Sequence, residues 1–439
     1  MLRKHAMGHV IVAGLLLCLV LGNMGAAAAT RPVVTCSNGI VAAAHPLASQ
    51  AGLQILMKGG NAVDAAVATA AVLNVVEPDF SSIAAGGVML IYDAKTQKIA
   101  CINANAPNPA GASIDVLTKD TAQRGYMAGM VPSALRAWDE ALKNYGTMSL
   151  AEVLEPAIEY AERGFPITER LANAIANQET LLSIYPTSAK TFLPGGAPPK
   201  AGDVLVQSDL ANTLKRVAKE GPDVFYKGEI AQEMADFFKK NGGLFTLEDF
   251  ANYEIEWVEP LHGTYRGYDI YVPGGEFCGA LVLQQLNIVE PFDLAKMGHN
   301  TVETLHLMVE ATKLAAADRD RYIADPKFVH VPEKALISKE YAAAQRKRID
   351  LGRAQDSIAP GNADSYENTT HISVVDGQGN MVSYTTSIGS SWGTGVVVGD
   401  TGVFLNNGGG WMEFSPDHVN KVEPHKRPMN NIAPVFVVK

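Results

Sequence analysis

The sequence predicts a mixed α/β fold, and three observations carry that prediction. Two consecutive early segments, Pro46–Lys58 and Ala62–Val75, have the spacing and end residues of helices. The late segment Thr369–Phe404 is rich in β-formers and holds no convincing helix. Between them, helical stretches are interrupted by short alternating segments. With 439 residues, 47% hydrophobic and 19% charged, the chain can bury a sizeable core in one large or two medium domains. That composition excludes wholesale disorder, collagen and coiled coil.

The first residues read as an address. Arg3, Lys4 and His5 make a basic start, Val10–Leu21 is uncharged and mostly apolar, and Ala26–Ala29 offers small residues to a signal peptidase. This three-part form predicts a secretory signal over residues 1–29. The alternative is an uncleaved anchor, but the apolar run is shorter than the roughly twenty residues of a span. Cleavage would remove Cys18 and leave Cys36, Cys101 and Cys278, so no essential disulfide is expected. The formal charge is −10, and no Lys/Arg block supports nucleic-acid binding. The ten histidines form no ligand-spaced cluster, so no metal or organic cofactor is expected.

Along the expected mature chain, Pro46 suits a first helical position, and Gly59-Gly60 ends that helix. Asn61 can cap the next helix, with Asp64 near its positive end. Its Ala- and Val-rich, nearly uncharged face all round predicts burial against a sheet. Val88–Tyr92 and Lys98–Asn103 read as strands joined at Asp93–Lys95. Residues 125–180 and Ser208–Lys240 read as mainly helical. Tyr185–Asp203, dense in Pro and Gly, reads as a surface loop. Pro260–Val272 reads as a hairpin bending at Arg266-Gly267, and Val302–Ala324 as a long amphipathic helix. Gln355–Glu367 reads as a flexible polar segment, and no internal repeat is apparent.

Two constellations compete for chemistry. In the first, the polar segment runs through Asn368 into a strand that opens Thr369-Thr370-His371. A Thr hydroxyl is a weak nucleophile and needs a base. If the bond before Thr369 is cut, the new α-amine, with a reference pKa near ~8, can be that base. By spacing alone, Thr-Thr at a strand start is more often plain β-propensity. In the second, Gly389-Ser390-Ser391-Trp392-Gly393 matches G-x-S-x-G, with Asp417 and His418 or His425 downstream. That motif needs a strand, a sharp turn and a helix, whereas Thr394–Phe404 looks extended. A Gly-rich loop that lets backbone approach a ligand is the plainer reading. His371 would share a face with Thr369, but about 6.6 Å along a strand is long for direct proton transfer. Asn368-Thr369-Thr370 also fits a glycosylation sequon, which matters only in a eukaryotic secretory pathway.

Several blocks spread over the expected mature chain are similar to those of one family. They include Gly59-Gly60-Asn61-Ala62-Val63-Asp64-Ala65-Ala66, Tyr265-Arg266-Gly267-Tyr268 and Ala317-Asp318-Arg319. The most specific are Thr369-Thr370-His371, Gly393-Thr394-Gly395, Leu405-Asn406-Asn407 and Lys426-Arg427-Pro428. On these the chain resembles the γ-glutamyltransferases, or glutathione hydrolases, of the N-terminal-nucleophile hydrolases. The resemblance implies an αββα sandwich made as one precursor. It implies self-cleavage between Asn368 and Thr369, giving a large chain (30–368) and a small chain (369–439). Thr369 would then attack a γ-glutamyl amide such as glutathione, and water or an acceptor amine would release the acyl group. Ser387 falls where the family has a second Thr that hydrogen-bonds the nucleophile.

The departures concern the glutamyl-reading positions. The family Arg that binds the substrate α-carboxylate falls at Asn103, which removes a charge-assisted contact. The family's glutamyl-recognising Asn falls at Gly389. Its Gln and Asp fall at Gly408 and, across a two-residue insertion, Glu413. Its Ser-Ser pair becomes Asn430-Asn431, whose amides remain able to donate to a carboxylate. The segment Thr369–Lys439 is shorter than the family's small chain, and the family's oxyanion-hole Gly-Gly falls beyond Lys439. The resemblance therefore implies a C-terminally truncated sandwich with no oxyanion donor assignable here. The expectation is a periplasmic or secreted amidohydrolase and acyltransferase, without cofactor. Its partners would be a small-molecule γ-glutamyl or acyl amide and its own two chains, with no nucleic acid and no stable membrane association after signal removal. The alternatives are a related acylase acting on non-glutamyl amides, or a non-catalytic exported binding protein of the same fold.

Overall fold

The computed structural model describes residues 33–355 and 369–439. The expected signal over 1–29, the polar segment from 356 to 367 and Asn368 lie outside the described residues. The fold proper runs from Asn38 to Lys439. The elements that position the site are, in chain order, β1 (Gly39–Ala42), α1 (Pro46–Met57), α2 (Ala62–Val76), β2 (Gly86–Asp93), β3 (Lys98–Ala104), β4 (Glu256–Val258), β5 (Leu261–Tyr265), β6 (Tyr268–Val272), α3 (Gly279–Val289), α4 (Val302–Tyr322), β7 (Thr370–Asp376), β8 (Met381–Ser387) and β9 (Phe436–Val438).

Helix α2 forms for local reasons. The Asn61 side chain accepts from the Val63 and Asp64 amides, and the Asp64 carboxylate accepts from the Asn61 amide, a reciprocal capping box. All fifteen of its residues are buried, and most are Ala or Val, so it lies close against a sheet. The Ala62 amide donates to Asp376 Oδ2 at 3.0 Å, which ties the start of α2 to the end of β7.

Among the described residues the main sheet has six strands in the order β1-β7-β8-β2-β3-β4, each neighbour antiparallel. Alternation sorts its side chains between two cores. Met89, Ile91, Ile102, Ile372, Val374, Val382 and Tyr384 join the core that holds α1 and α2. Val88, Leu90 and Cys101 instead meet Phe277, Ile432 and Phe436. That second core lies between the main sheet and a three-stranded sheet, β9-β6-β5. Behind the small sheet, Ile270 and Val272 pack on Leu283 of α3, and Leu307 and Leu314 of α4 pack on Ile288. The layers run helix, sheet, sheet, helix: an αββα sandwich. Among the described residues no helix is long and apolar enough to cross a membrane.

The hairpin bend falls where expected. Arg266 and Gly267 both take positive φ, 51° and 84°, the mark of a tight turn matched to strand twist. The segment Tyr185–Asp203 differs from the expected plain loop. Pro186 opens a helix, Pro186–Phe192, and Pro194–Gly196 forms a single 3₁₀ turn. A proline at the first helical position costs nothing, because its missing N–H has no intrahelical partner there.

Candidate active site

Thr369 sits immediately before β7, and the register Thr370↔Thr386 sets it opposite Ser387. The Thr369 hydroxyl donates to Ser387 Oγ at 3.3 Å. Ser387 is buried, and its oxygen also accepts the Gly389 amide at 3.0 Å. Thr369 itself is exposed. The site is thus an accessible hydroxyl backed by a buried, oriented second hydroxyl.

The next residue fixes the strand from its other face. Thr370 is buried and donates to Glu77 Oε2 at 3.3 Å. Glu77 faces Arg170 at 3.5 Å, and the same guanidinium grips Asp79 with bonds of 2.8 and 3.2 Å. Burial raises the Glu77 pKa, and the Arg170 charge opposes that rise. His371 returns to the Thr369 face. Its Nδ1 shares a hydrogen bond with Thr385 Oγ1 at 2.8 Å, and its Nε2 shares one with Ser373 Oγ at 3.1 Å. Burial lowers its pKa. Both ring nitrogens are thereby occupied by strand hydroxyls.

The loop after β8 is held by Asn407. Its Oδ1 accepts the Ser390 amide at 2.9 Å, and its Nδ2 donates to the Gln123 carbonyl at 2.7 Å. Gly389 has φ of 89°, and a Cβ there would lie 2.2 Å from Asn407 Oδ1. Gly389 therefore offers only backbone, and that backbone serves Ser387. Beyond Gly393 the chain extends into the strand Val397–Val398 rather than a helix, so the G-x-S-x-G match has no nucleophile elbow.

Across the sheet, Ser387 pairs with Gly86, and the register Gly87↔Ala104 sets Gly86 beside Asn105 at the end of β3. There a buried polar cluster forms. Asn103 and Asn105 both donate through Nδ2 to Glu276 Oε1, at 2.9 and 3.4 Å. Asn103 Oδ1 accepts the Asn105 amide at 2.9 Å. Asn430 donates through Nδ2 to Asn105 Oδ1 at 3.1 Å and through its amide to the Glu276 carbonyl at 2.8 Å. Arg427 pairs with Glu256 at 2.9 Å and Asp325 at 3.7 Å, with Glu276 at 3.9 Å. Glu276 is 1% exposed, and burial pushes its carboxyl up to about 7 against the pull of Arg427.

Of the residues expected from sequence, Thr369 and Ser387 meet directly. Asn103 and Asn430 meet in the second cluster. Gly389 touches the first cluster through its amide alone. Asn431 follows Asn430 and is exposed. Glu413 is exposed on a loop where its backbone pairs with Lys421, away from the residues that form either cluster. Gly408 begins a 3₁₀ turn, and its amide donates to Asn406 Oδ1 at 3.2 Å. Sequence reasoning missed Glu276 and Asn105. Glu276 lies 173 residues from Asn103, and a single acid after Gly274-Gly275 carries no local signal of that pairing.

A model of the gamma-glutamyltranspeptidase family matches residues 48–439. The chain is 39% identical over 431 residues to the glutathione hydrolase proenzyme of Bacillus subtilis (strain 168), across 92% of this chain and 73% of that protein. It is 41% identical over 416 residues to the acylase ACY 1 proenzyme of Pseudomonas sp. (strain SE83), across 92% and 75%. Among solved structures, cephalosporin acylase from Bacillus halodurans superposes with a TM-score of 0.86 at 36% identity, over 95% of this chain and 78% of that one. Helicobacter pylori gamma-glutamyltranspeptidase gives 0.72 at 34% identity, over 77% of this chain and 99% of that one.

Proposed function

The chain belongs to the gamma-glutamyltranspeptidase family, and on that premise we propose that it is an exported, self-processing amidohydrolase and acyltransferase with Thr369 as nucleophile. The observation that carries the proposal is the Thr369–Ser387 hydrogen bond at the mouth of a buried strand pair. The relatives named proenzymes support a maturation step. In that step Thr369 Oγ attacks the Asn368 carbonyl carbon, the Asn368–Thr369 amide shifts to an ester, and water hydrolyses the ester. The products are a large chain ending at Asn368 and a small chain whose first residue is Thr369 with a free α-amine.

In turnover, Thr369 Oγ attacks the carbonyl carbon of an amide substrate and its proton passes to the α-amine. The tetrahedral adduct collapses, the C–N bond breaks, and the proton moves on to the leaving amine. An ester on Thr369 remains. Water, or an acceptor amine, then attacks that ester with the α-amine again as base, and the acyl group leaves as an acid or a new amide. Ser387 orients the nucleophile through its acceptor lone pair.

Two acyl classes are open to this chemistry. The glutathione hydrolase relative supports γ-glutamyl amides such as glutathione. The acylase relative supports other acyl groups, and one observation favours that class: Asn103 spends its donor on Glu276 and leaves no cation at that position. The test of the common mechanism is intact mass and N-terminal sequencing of purified protein. Two chains, the smaller beginning at Thr369, are expected, and Thr369→Ala protein should remain one chain. An uncut junction in wild-type protein that still splits amides would overturn the mechanism.

A further inference from the structure

An acidic residue that the mechanism does not use lies at the far end of a cross-strand row that begins at the nucleophile. Thr369 faces Ser387, Ser387 pairs with Gly86, and Gly86 lies beside Asn105. Three inter-strand steps of about 4.8 Å set the Thr369 and Asn105 backbones about 14 Å apart. Two side chains and a short acyl chain can fill that distance, and Gly86 contributes no side chain to the row. At its far end Asn103 Nδ2 donates to Glu276 Oε1 at 2.9 Å, Asn105 Nδ2 donates to the Pro428 carbonyl at 2.8 Å and to Glu276 Oε1 at 3.4 Å, and Asn103 Oδ1 accepts the Asn105 amide. Glu276 also lines a cavity of about 260 Å³ with Asn103, Glu256, Glu259, His330 and Glu333. The nearby guanidinium of Arg427 is engaged by Glu256 and Asp325.

We propose that Glu276 sets acyl specificity: as a built-in carboxylate it takes the amide donors of Asn103 and Asn105, so Thr369 is acylated by chains that end without a carboxylate in preference to chains that end in one. The proposal rests on the Thr369 mechanism above and names its substrate class. A carboxylate arriving at this end finds its donors taken and meets like charge in a buried setting, which selects against it. An acyl chain with a neutral or ammonium end meets no such penalty.

Matched five-carbon p-nitroanilides test this on the purified, matured protein at pH 8, above the Glu276 pKa of about 7: pentanoyl, 5-aminopentanoyl and glutaryl. Wild-type kcat/KM for pentanoyl and for 5-aminopentanoyl should exceed that for glutaryl by roughly tenfold or more, as like-charge exclusion predicts. Glu276→Gln should shrink the pentanoyl-to-glutaryl ratio roughly tenfold, by the same argument. Glu276→Asp, which keeps the charge, should keep the wild-type order. A purely structural role would lower all three rates together and leave the ratio fixed, which overturns the proposal. Glutaryl turnover equal to or above pentanoyl in wild-type protein, with the acyl adduct found on Thr369, overturns the Glu276 proposal alone. No adduct on Thr369 from any of the three overturns the nucleophile assignment and the Glu276 proposal with it.

Discussion

Ser387 receives two hydrogens at one oxygen, from the Thr369 hydroxyl and the Gly389 amide. Removing that oxygen leaves the nucleophile unoriented and a buried amide without this partner. A net hydrogen bond is worth about 0.5–1.5 kcal/mol, so Ser387→Ala should slow single-turnover acylation roughly three- to tenfold. Unchanged acylation would show that Thr369 is oriented by something else. Glu276 makes a second residue-scale prediction. Burial raises its pKa from 4.5 to about 7, with Arg427 as the main opposing influence. Between those two values the folded chain holds a proton that the unfolded chain has lost. This group therefore stabilises the fold less as pH rises from 4.5 to about 7, and its cost is fully present above 7. Glu276→Gln should remove that slope, read as the difference in melting temperature between pH 5 and pH 8 for wild type and variant. Parallel pH dependences would mean that Glu276 keeps its ordinary carboxylate behaviour.

At the scale of elements, the turn between β7 and β8 is also the anchor of α2. Asp376 Oδ1 accepts the Gln378 and Asn380 amides, while Oδ2 accepts the Ala62 amide and the Asn380 side chain. Asp376→Ala strands several of these donors at once. A loss of about 2–4 kcal/mol is expected, several unmet bonds at roughly 1 kcal/mol each, measurable by denaturant unfolding. The loop after β8 makes a sharper demand. Gly389→Ala puts a Cβ against Asn407 Oδ1 at positive φ, so the loop must shift and Ser387 loses its amide donor. Maturation at Thr369 should slow markedly in that variant, followed as the disappearance of the uncut chain. These elements differ in how far the sequence announces them. The Asn61 cap, the Pro46 start and the Arg266-Gly267 bend are local chemistry, and each was legible. Pro186 misled because proline breaks helices inside and opens them at the first turn. Thr369 had only β-propensity beside it, so spacing could not single it out. The resemblance of whole motifs, not local physics, raised it. The polar cluster at Glu276 was illegible because its members come from five separate segments and become neighbours only when both sheets close.

For the molecule as a whole, the decisive fact is where β7 and β8 lie. They are interior strands, with β1 on one side and β2 on the other, and β9 adds to the second sheet beside β6. Every strand that follows Thr369 in these two sheets therefore hydrogen-bonds to at least one strand that precedes it. Cleavage before Thr369 would break one peptide bond and none of these ladders. Burial of Ile372, Val374, Val382 and Tyr384 among α1 and α2 adds an apolar seal along the same seam. The two chains should thus co-elute as one particle after processing and come apart only in denaturant. Refolding separates the cut from the uncut state. In the uncut Thr369→Ala protein, β7 reaches its slot as part of one chain, and its refolding rate should not depend on protein concentration. In the cut protein the central strands must find the sheet as a second molecule, so refolding should slow on dilution. Dilution series at fixed denaturant, monitored by tryptophan fluorescence, distinguish the two. A small chain released without denaturant would contradict the interleaved sheet itself.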